Sequence, residues 1–158
     1  MTHPLPTTID PFLTAFFERH RVGKPAAAVA RIGYLDVLLR RCLEEESGWL
    51  ECVECQALVS LERAVNPVNP FATVMALDKL VPALAYFVHA PWLRSDAAMQ
   101  AAQWRLVEAI LDALEESPDV DWWGLHQTLG MLRAHIHSGL DRSGRPRGRR
   151  GRSSPEWM

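Results

Sequence analysis

Residues 25–46 read PAAAVARIGYLDVLLRRCLEEE. Ala28, Ile32, Leu35, Leu39 and Cys42 recur at spacings of 4, 3, 4 and 3. That is one stripe of a 3.6-residue helix and not the alternation of a strand. Pro25 fixes a backbone angle suited to a first helical turn. Asp36 precedes Arg40 by four, the order that best supports a helical ion pair. The stretch therefore predicts an amphipathic helix of about five turns that ends at Ser47-Gly48.

The same spacing recurs on both sides of it. Asp10-Pro11 places a capping carboxylate before a helix-starting proline, and Phe12, Phe16 and Phe17 follow as a short helix to about Gly23. A third helix is expected from Trp49 to Val65. Its main seam is Leu50, Val53, Ala57, Leu61 and Ala64, with Cys52, Cys55 and Val59 opposite, a pattern that predicts packing on two sides. Asn66-Pro67-Val68-Asn69-Pro70 breaks the chain. The fourth segment, Pro70 to about His89, is apolar almost all round, with Pro82 expected to kink it, and reads as the central element. Ser95 is expected to cap a fifth helix with the seam Trp104, Val107, Leu111 and Leu114. Asp119 or Asp121 caps a sixth, with the seam Trp122, Leu125, Leu129, Leu132 and Ile136, which Gly139 ends. No solenoid-length repeat is present. The expected fold is all-α: a compact bundle of five to seven helices, mostly antiparallel, over residues 10–140. Residues 1–9 read as a flexible arm and 141–158 as a disordered basic tail.

Composition agrees. The 158 residues are 48% hydrophobic, rich in Ala and Leu and poor in β-branched runs. The start of the chain, MTHPLPTTID, lacks the basic and apolar regions of a signal peptide. The most apolar stretch, Phe71 to Leu93, holds Asp78, Lys79, Pro82 and His89 and makes a poor membrane span. Three cysteines give no disulfide framework, so a cytoplasmic location is expected.

The net charge of −2 conceals an asymmetry. Residues 141–158 carry Arg142, Arg145, Arg147, Arg149, Arg150 and Arg152 against Asp141 and Glu156. The first 140 residues carry 11 basic and 17 acidic side chains. Such a tail is attracted to polyanions by counterion release. Its core, Pro146-Arg147-Gly148-Arg149, resembles an AT-hook, a short element that binds the minor groove of A·T-rich DNA. The resemblance covers four residues and implies that Arg147 and Arg149 enter the narrow groove while Gly148 lets the backbone lie against its floor. The proline that follows the second arginine in that family is Arg150 here. On the sixth helix, His126, Arg133 and His137 fall on one stripe beside the seam and lead into the tail. They are candidate phosphate contacts, or else the solvated flank of an amphipathic helix.

Other chemistry finds little footing. Cys52-Val53-Glu54-Cys55 is a lone CxxC. Two thiolates at this spacing can meet one zinc ion, but a structural site needs two more ligands, with Cys42, His89 or His126 as the distant candidates. No strand precedes the motif to give it a thioredoxin-type setting, so small buried apolar cysteines are the default reading and no metal or other cofactor is expected. No Glu-x-x-His pair, P-loop or G-x-S-x-G is present. Asp78 and Glu54 are acids within or beside apolar seams and each reads either as a buried functional carboxylate or as solvent-facing.

The sequence thus predicts a non-enzymatic accessory or adaptor protein whose tail contacts nucleic acid and whose body offers a protein-binding surface. A purely protein-binding helical module with a solubilising tail, such as an inhibitor, immunity or assembly subunit, is the alternative. No membrane partner is expected, and the sequence leaves the oligomeric state open.

Overall fold

A computed structural model describes residues 5–50 and 52–144, the Leu50 side chain excepted. Among the described residues eight α-helices follow one another: α1 Ile9–Arg21, α2 Ala26–Glu45, α3 Ser47–Leu50, α4 Val53–Val65, α5 Pro70–Val74, α6 Leu80–Phe87, α7 Ala97–Glu115 and α8 His126–Gly144. A 3-10 turn, Leu77–Lys79, joins α5 to α6. There is no strand among the described residues, only an isolated bridge between Thr8 and Ala76. The fold is all-α. Its helices exceed the expected five to seven because two long segments break into shorter pieces.

The first break divides the expected third helix. Cys52 is extended (φ −79°, ψ 168°) and caps α4 with its sulfur, which accepts the Cys55 N–H. The second divides the apolar segment after Pro70. The break falls at Met75 and Ala76, both extended, and not at Pro82. There the Met75 carbonyl accepts the Ile9 N–H at 3.0 Å, so the chain leaves the helix to bond the start of α1. Pro82 sits in the first turn of α6, where its missing N–H costs nothing. Two caps also move, the first by two positions and the second by one. Thr8 and not Asp10 precedes α1, and Asp96 and not Ser95 caps α7, accepting the Met99 N–H at 2.9 Å.

One apolar cluster runs through these elements. Phe71, Leu77, Leu80, Leu84 and Phe87 are fully buried at its centre, as the composition of that segment predicts. Ile32, Leu35, Leu39 and Cys42 of α2, Trp104, Val107, Leu111 and Leu114 of α7, and Leu132 and Ile136 of α8 close around them. Trp122, Leu125 and Leu129 of the expected last seam are half-buried against the cluster, and Trp122 and Leu125 precede α8.

Polar groups fix the helices to one another. Asp36 accepts from Arg40 at 2.8 Å and from Arg21 at 2.9 Å, and Arg40 also pairs with Asp10. α2 ends on three glutamates, an arrangement that its helix dipole disfavours by roughly 0.3–1 kcal/mol per charge. Each has an answering donor. Glu44 accepts the Phe71 and Ala72 N–H groups at 3.1 and 3.2 Å, which caps the first turn of α5. Glu45 pairs with Arg41, and Glu46 accepts the Trp92 indole N–H at 2.8 Å.

Gly139 does not end the last helix. α8 continues to Gly144, where Arg142 bonds the Ser138 carbonyl and Ser143 the Leu140 carbonyl. Asp141–Gly144 therefore belong to the helix and not to a disordered tail. A glycine inside a helix costs only about 1 kcal/mol, and here its bare backbone receives the Trp104 ring. Residues 145–158, with Arg145, Arg147, Gly148, Arg149, Arg150 and Arg152, lie outside the described residues.

Candidate functional site

α4 is attached to the body by one side only. Val59 is its single fully buried residue, with Cys55 and Glu62 half-buried beside it. The seam that the sequence pattern favours points the other way: Val53 is 83% exposed and Leu61 71%, and Ala57 and Ala64 are exposed with them. Leu58 and Val65 flank this stripe and are exposed too. So are Trp49 in α3, just ahead, and Val68, just behind. The expectation of packing on two sides is thus corrected: the minor apolar side is covered and the major one faces solvent. Glu54 is also exposed, whereas Asp78 is half-buried in the 3-10 turn.

The cysteine pair lies at the head of the same helix. Cys52 and Cys55 are joined as a disulfide, with 5.0 Å between their Cα atoms. Cys52 is exposed, and Cys55 packs half-buried on the core. Neither is the small buried cysteine expected from the sequence. The Cys55 N–H reaches the Cys52 sulfur at 3.3 Å, and a Glu54 carboxylate oxygen lies 3.9 Å from that sulfur. The third cysteine contrasts with them. Cys42 is fully buried and carries a free thiol. Burial first, then Glu46 and Glu45, push its pKa up to about 12. A thiol so held is inert at neutral pH.

Of the distant zinc candidates, Cys42 is enclosed in the core, His126 is exposed at the start of α8, and His89 is engaged elsewhere. His89 stacks on His135 at 4.3 Å, and its Nδ1 lies 2.6 Å from the Ala85 carbonyl oxygen. Among the described residues, no group of three or more His, Cys, Asp or Glu is placed to hold a metal ion.

Two of the three candidates for a phosphate-contacting stripe on α8 are already paired. Arg133 bonds Asp112 at 2.9 Å and Glu115 at 3.1 Å, and His137 Nε2 lies 2.8 Å from Glu108. Burial works against the Arg133 charge, but the bonds to Asp112 and Glu115 outweigh it and hold its pKa above the ordinary value. These contacts lace α8 to α7, and a phosphate would have to displace a carboxylate to use them. His126 is exposed at the first residue of α8, and Arg142 is exposed near its last.

What this arrangement defines is a class and no more: an all-α protein with an uncovered apolar helix face and a surface disulfide at the head of that helix. No family model, no curated protein and no solved structure matches the chain. No helix among the described residues is long and apolar enough to cross a membrane.

The disulfide closes a loop only three residues long, so it restrains the unfolded chain little. Loop-closure entropy gives it at most about 2 kcal/mol of stability, against nearly 5 for a 100-residue loop. Reduced protein is expected to keep a cooperative melt within that margin of the oxidised form. Differential scanning calorimetry with and without reductant measures it, and unfolding on reduction would make the bond structural. Cys52→Ser is expected to be nearly neutral in the reduced background, since the new hydroxyl meets water.

Proposed function

We propose that the chain is an accessory module that docks another polypeptide on the outer face of α4, with the Arg-rich C-terminal segment contacting nucleic acid. The observation that carries the first half is the exposed seam Val53, Ala57, Leu61 and Ala64. Contiguous exposed apolar surface is costly in solvent and is the kind of surface at which proteins bind one another. Spacings of 4, 4 and 3 are those by which one helix packs along another, so an amphipathic partner helix is the occupant that fits. A second copy of this chain would present the same stripe, and the two cases separate by measurement.

Leu61→Asp tests the docking. It removes an exposed apolar side chain, so the fold is expected to keep its circular dichroism, and its stability to within about 0.5 kcal/mol. Binding to an amphipathic helical peptide with Leu at matching spacings is expected to weaken by about tenfold or more, read by fluorescence anisotropy. Sedimentation of the wild type across concentration reports self-association. A peptide that binds neither form, with a monomeric wild type, sinks the docking reading.

The nucleic-acid half is supported by the Arg content of residues 142–152 and by their resemblance to an AT-hook. Arg145, Arg147, Arg149, Arg150 and Arg152 can neutralise about five phosphates, which gives a log–log salt slope of roughly −4 to −5 on B-DNA. A shallower slope with a preference for A·T-rich duplex is expected if Arg147 and Arg149 enter the groove, and Arg147→Ala with Arg149→Ala then abolishes the preference. Because α8 runs to Gly144, the informative truncation ends there. Equal binding by the truncated and full chains, or none by either at low salt, overturns this half.

A further inference from the structure

We infer that Cys52 and Cys55 form a thiol–disulfide exchange site whose co-reactant is a protein dithiol. The placement of the pair carries the inference. A disulfide that serves the fold joins distant elements or sits in the core. This one spans three residues at the surface and ties no second element to α4. Its two sulfurs are also unequal. Cys52 is exposed and open to attack, while Cys55 is half-buried against the core. Finally, Cys52 is the N-cap of a 13-residue helix, and the Cys55 N–H points at its sulfur. The positive end of a helix and an amide donor are in place wherever negative charge develops on that atom.

The exchange follows from this geometry. A thiolate of the co-reactant attacks Cys52 Sγ in line with the disulfide. The Cys52–Cys55 bond breaks, its electron pair goes to Cys55 Sγ, and that sulfur takes up a proton. The co-reactant is now joined to Cys52 through a mixed disulfide. Its second thiolate attacks its own bonded sulfur and closes a disulfide within the co-reactant. Cys52 leaves as a thiolate held by the Cys55 N–H and is protonated in turn. Two electrons and two protons have passed from the co-reactant to the Cys52–Cys55 pair, and the reverse sequence returns them. A Glu54 carboxylate oxygen lies 3.9 Å from the Cys52 sulfur, and its negative charge opposes a lasting thiolate there. The fully buried Cys42 takes no part.

The choice of a protein over a small thiol rests on the proposed docking face, since Val53 and the stripe behind it begin one residue from the exposed sulfur. A dithiol peptide with apolar flanks is therefore expected to react faster than one with Gly and Ser flanks.

The experiment uses the full oxidised chain and three probes: reduced glutathione, and a two-cysteine peptide with either apolar or Gly/Ser flanks. Reactions are quenched with an alkylating reagent and read by mass spectrometry. The pair is expected to open in millimolar glutathione at neutral pH without denaturant, with Cys42 unlabelled. For the trap the peptide is supplied in its disulfide form. The lone thiolate of Cys55→Ser, on Cys52, attacks one peptide sulfur and releases the other as a thiolate. A mixed disulfide with the apolar peptide is therefore expected through Cys52, and Cys52→Ser is expected to form one at least about tenfold more slowly through Cys55. Both variants carry a near-surface change, and circular dichroism confirms their fold. A pair that stays closed in glutathione, or equal trapping by both variants, overturns the exchange site whatever the docking experiment shows. Ready exchange at the same rate with both peptides supports the site and overturns the docking face.

Discussion

Replacing Gln103 by Leu is expected to cost about 3–5 kcal/mol, although Leu suits a buried helix position by size and polarity. Gln103 is fully buried in α7, inside the apolar seam. Its Nε2 donates to the Phe87 carbonyl at 2.7 Å and to the Trp92 carbonyl at 3.2 Å, while its Oε1 accepts the Arg94 N–H at 3.1 Å. One amide thus satisfies the last residue of α6 and the turn that leads to α7. Leucine would take away the partner of the Phe87 carbonyl and of the Arg94 N–H, and leave the Trp92 carbonyl only the Arg94 Nε–H at 3.2 Å. Each orphaned buried group costs about 1–3 kcal/mol. A total stability of about 5–15 kcal/mol leaves little after such a loss. Urea unfolding followed by circular dichroism measures it. A midpoint within error of the wild type would mean that water replaces the amide.

Two glycines of one helix are expected to respond to alanine with opposite signs. A Cβ on Gly139 would lie 2.6 Å from Cε2 and Cζ2 of Trp104, closer than real carbon atoms approach. The indole is buried, with no hydrogen-bond partner for its Nε1 among the described residues, so the ring or α8 must shift. Overpacking of this kind costs about 1–3 kcal/mol, and the gain in helix propensity recovers about 1 at most. Gly139→Val, with more bulk and poorer propensity, is expected to lose about 3 kcal/mol. Gly130 has nothing within 4 Å of its added Cβ. Gly130→Ala is therefore expected to stabilise by about 0.5–1 kcal/mol, or about 1–4 °C in thermal midpoint. Trp fluorescence alongside the melts reports whether the indole moves in Gly139→Ala. Destabilisation by both alanines would show that propensity does not govern α8.

The two glycines also mark where a sequence stops informing. Both stand in a helical pattern, and a glycine near its end reads as a terminator. Nothing local says that the Trp104 ring, 35 positions earlier in the chain, presses on one of them. Gln103 is similar. Its place between Ala102 and Trp104 carries no sign that its amide will answer three backbone groups of another segment.

Helix type, the main seams and the central position of the segment after Pro70 were decided by the sequence itself. Periodicity is a local property, and the seams of α2 and α7 have one apolar side each, so they could be buried only one way. The order of helices followed from Pro and Asn-Pro breaks, which act on their own residues. Tertiary structure decided the rest. α4 has apolar residues on both sides, and periodicity ranks the side with more of them as core. The body took the other, through Cys55 and Val59, and left Val53 and Leu61 in solvent. The same choice of register put Cys52 outside the helix as its cap, where a CxxC read as buried became an exposed disulfide. Arg133 and His137 gained partners only because α7 lines up Glu108, Asp112 and Glu115 opposite them. Which face of a two-sided helix is covered, and which charge meets which, depends on what another segment presents. That information lies in the packing of distant residues and not in the pattern of neighbours.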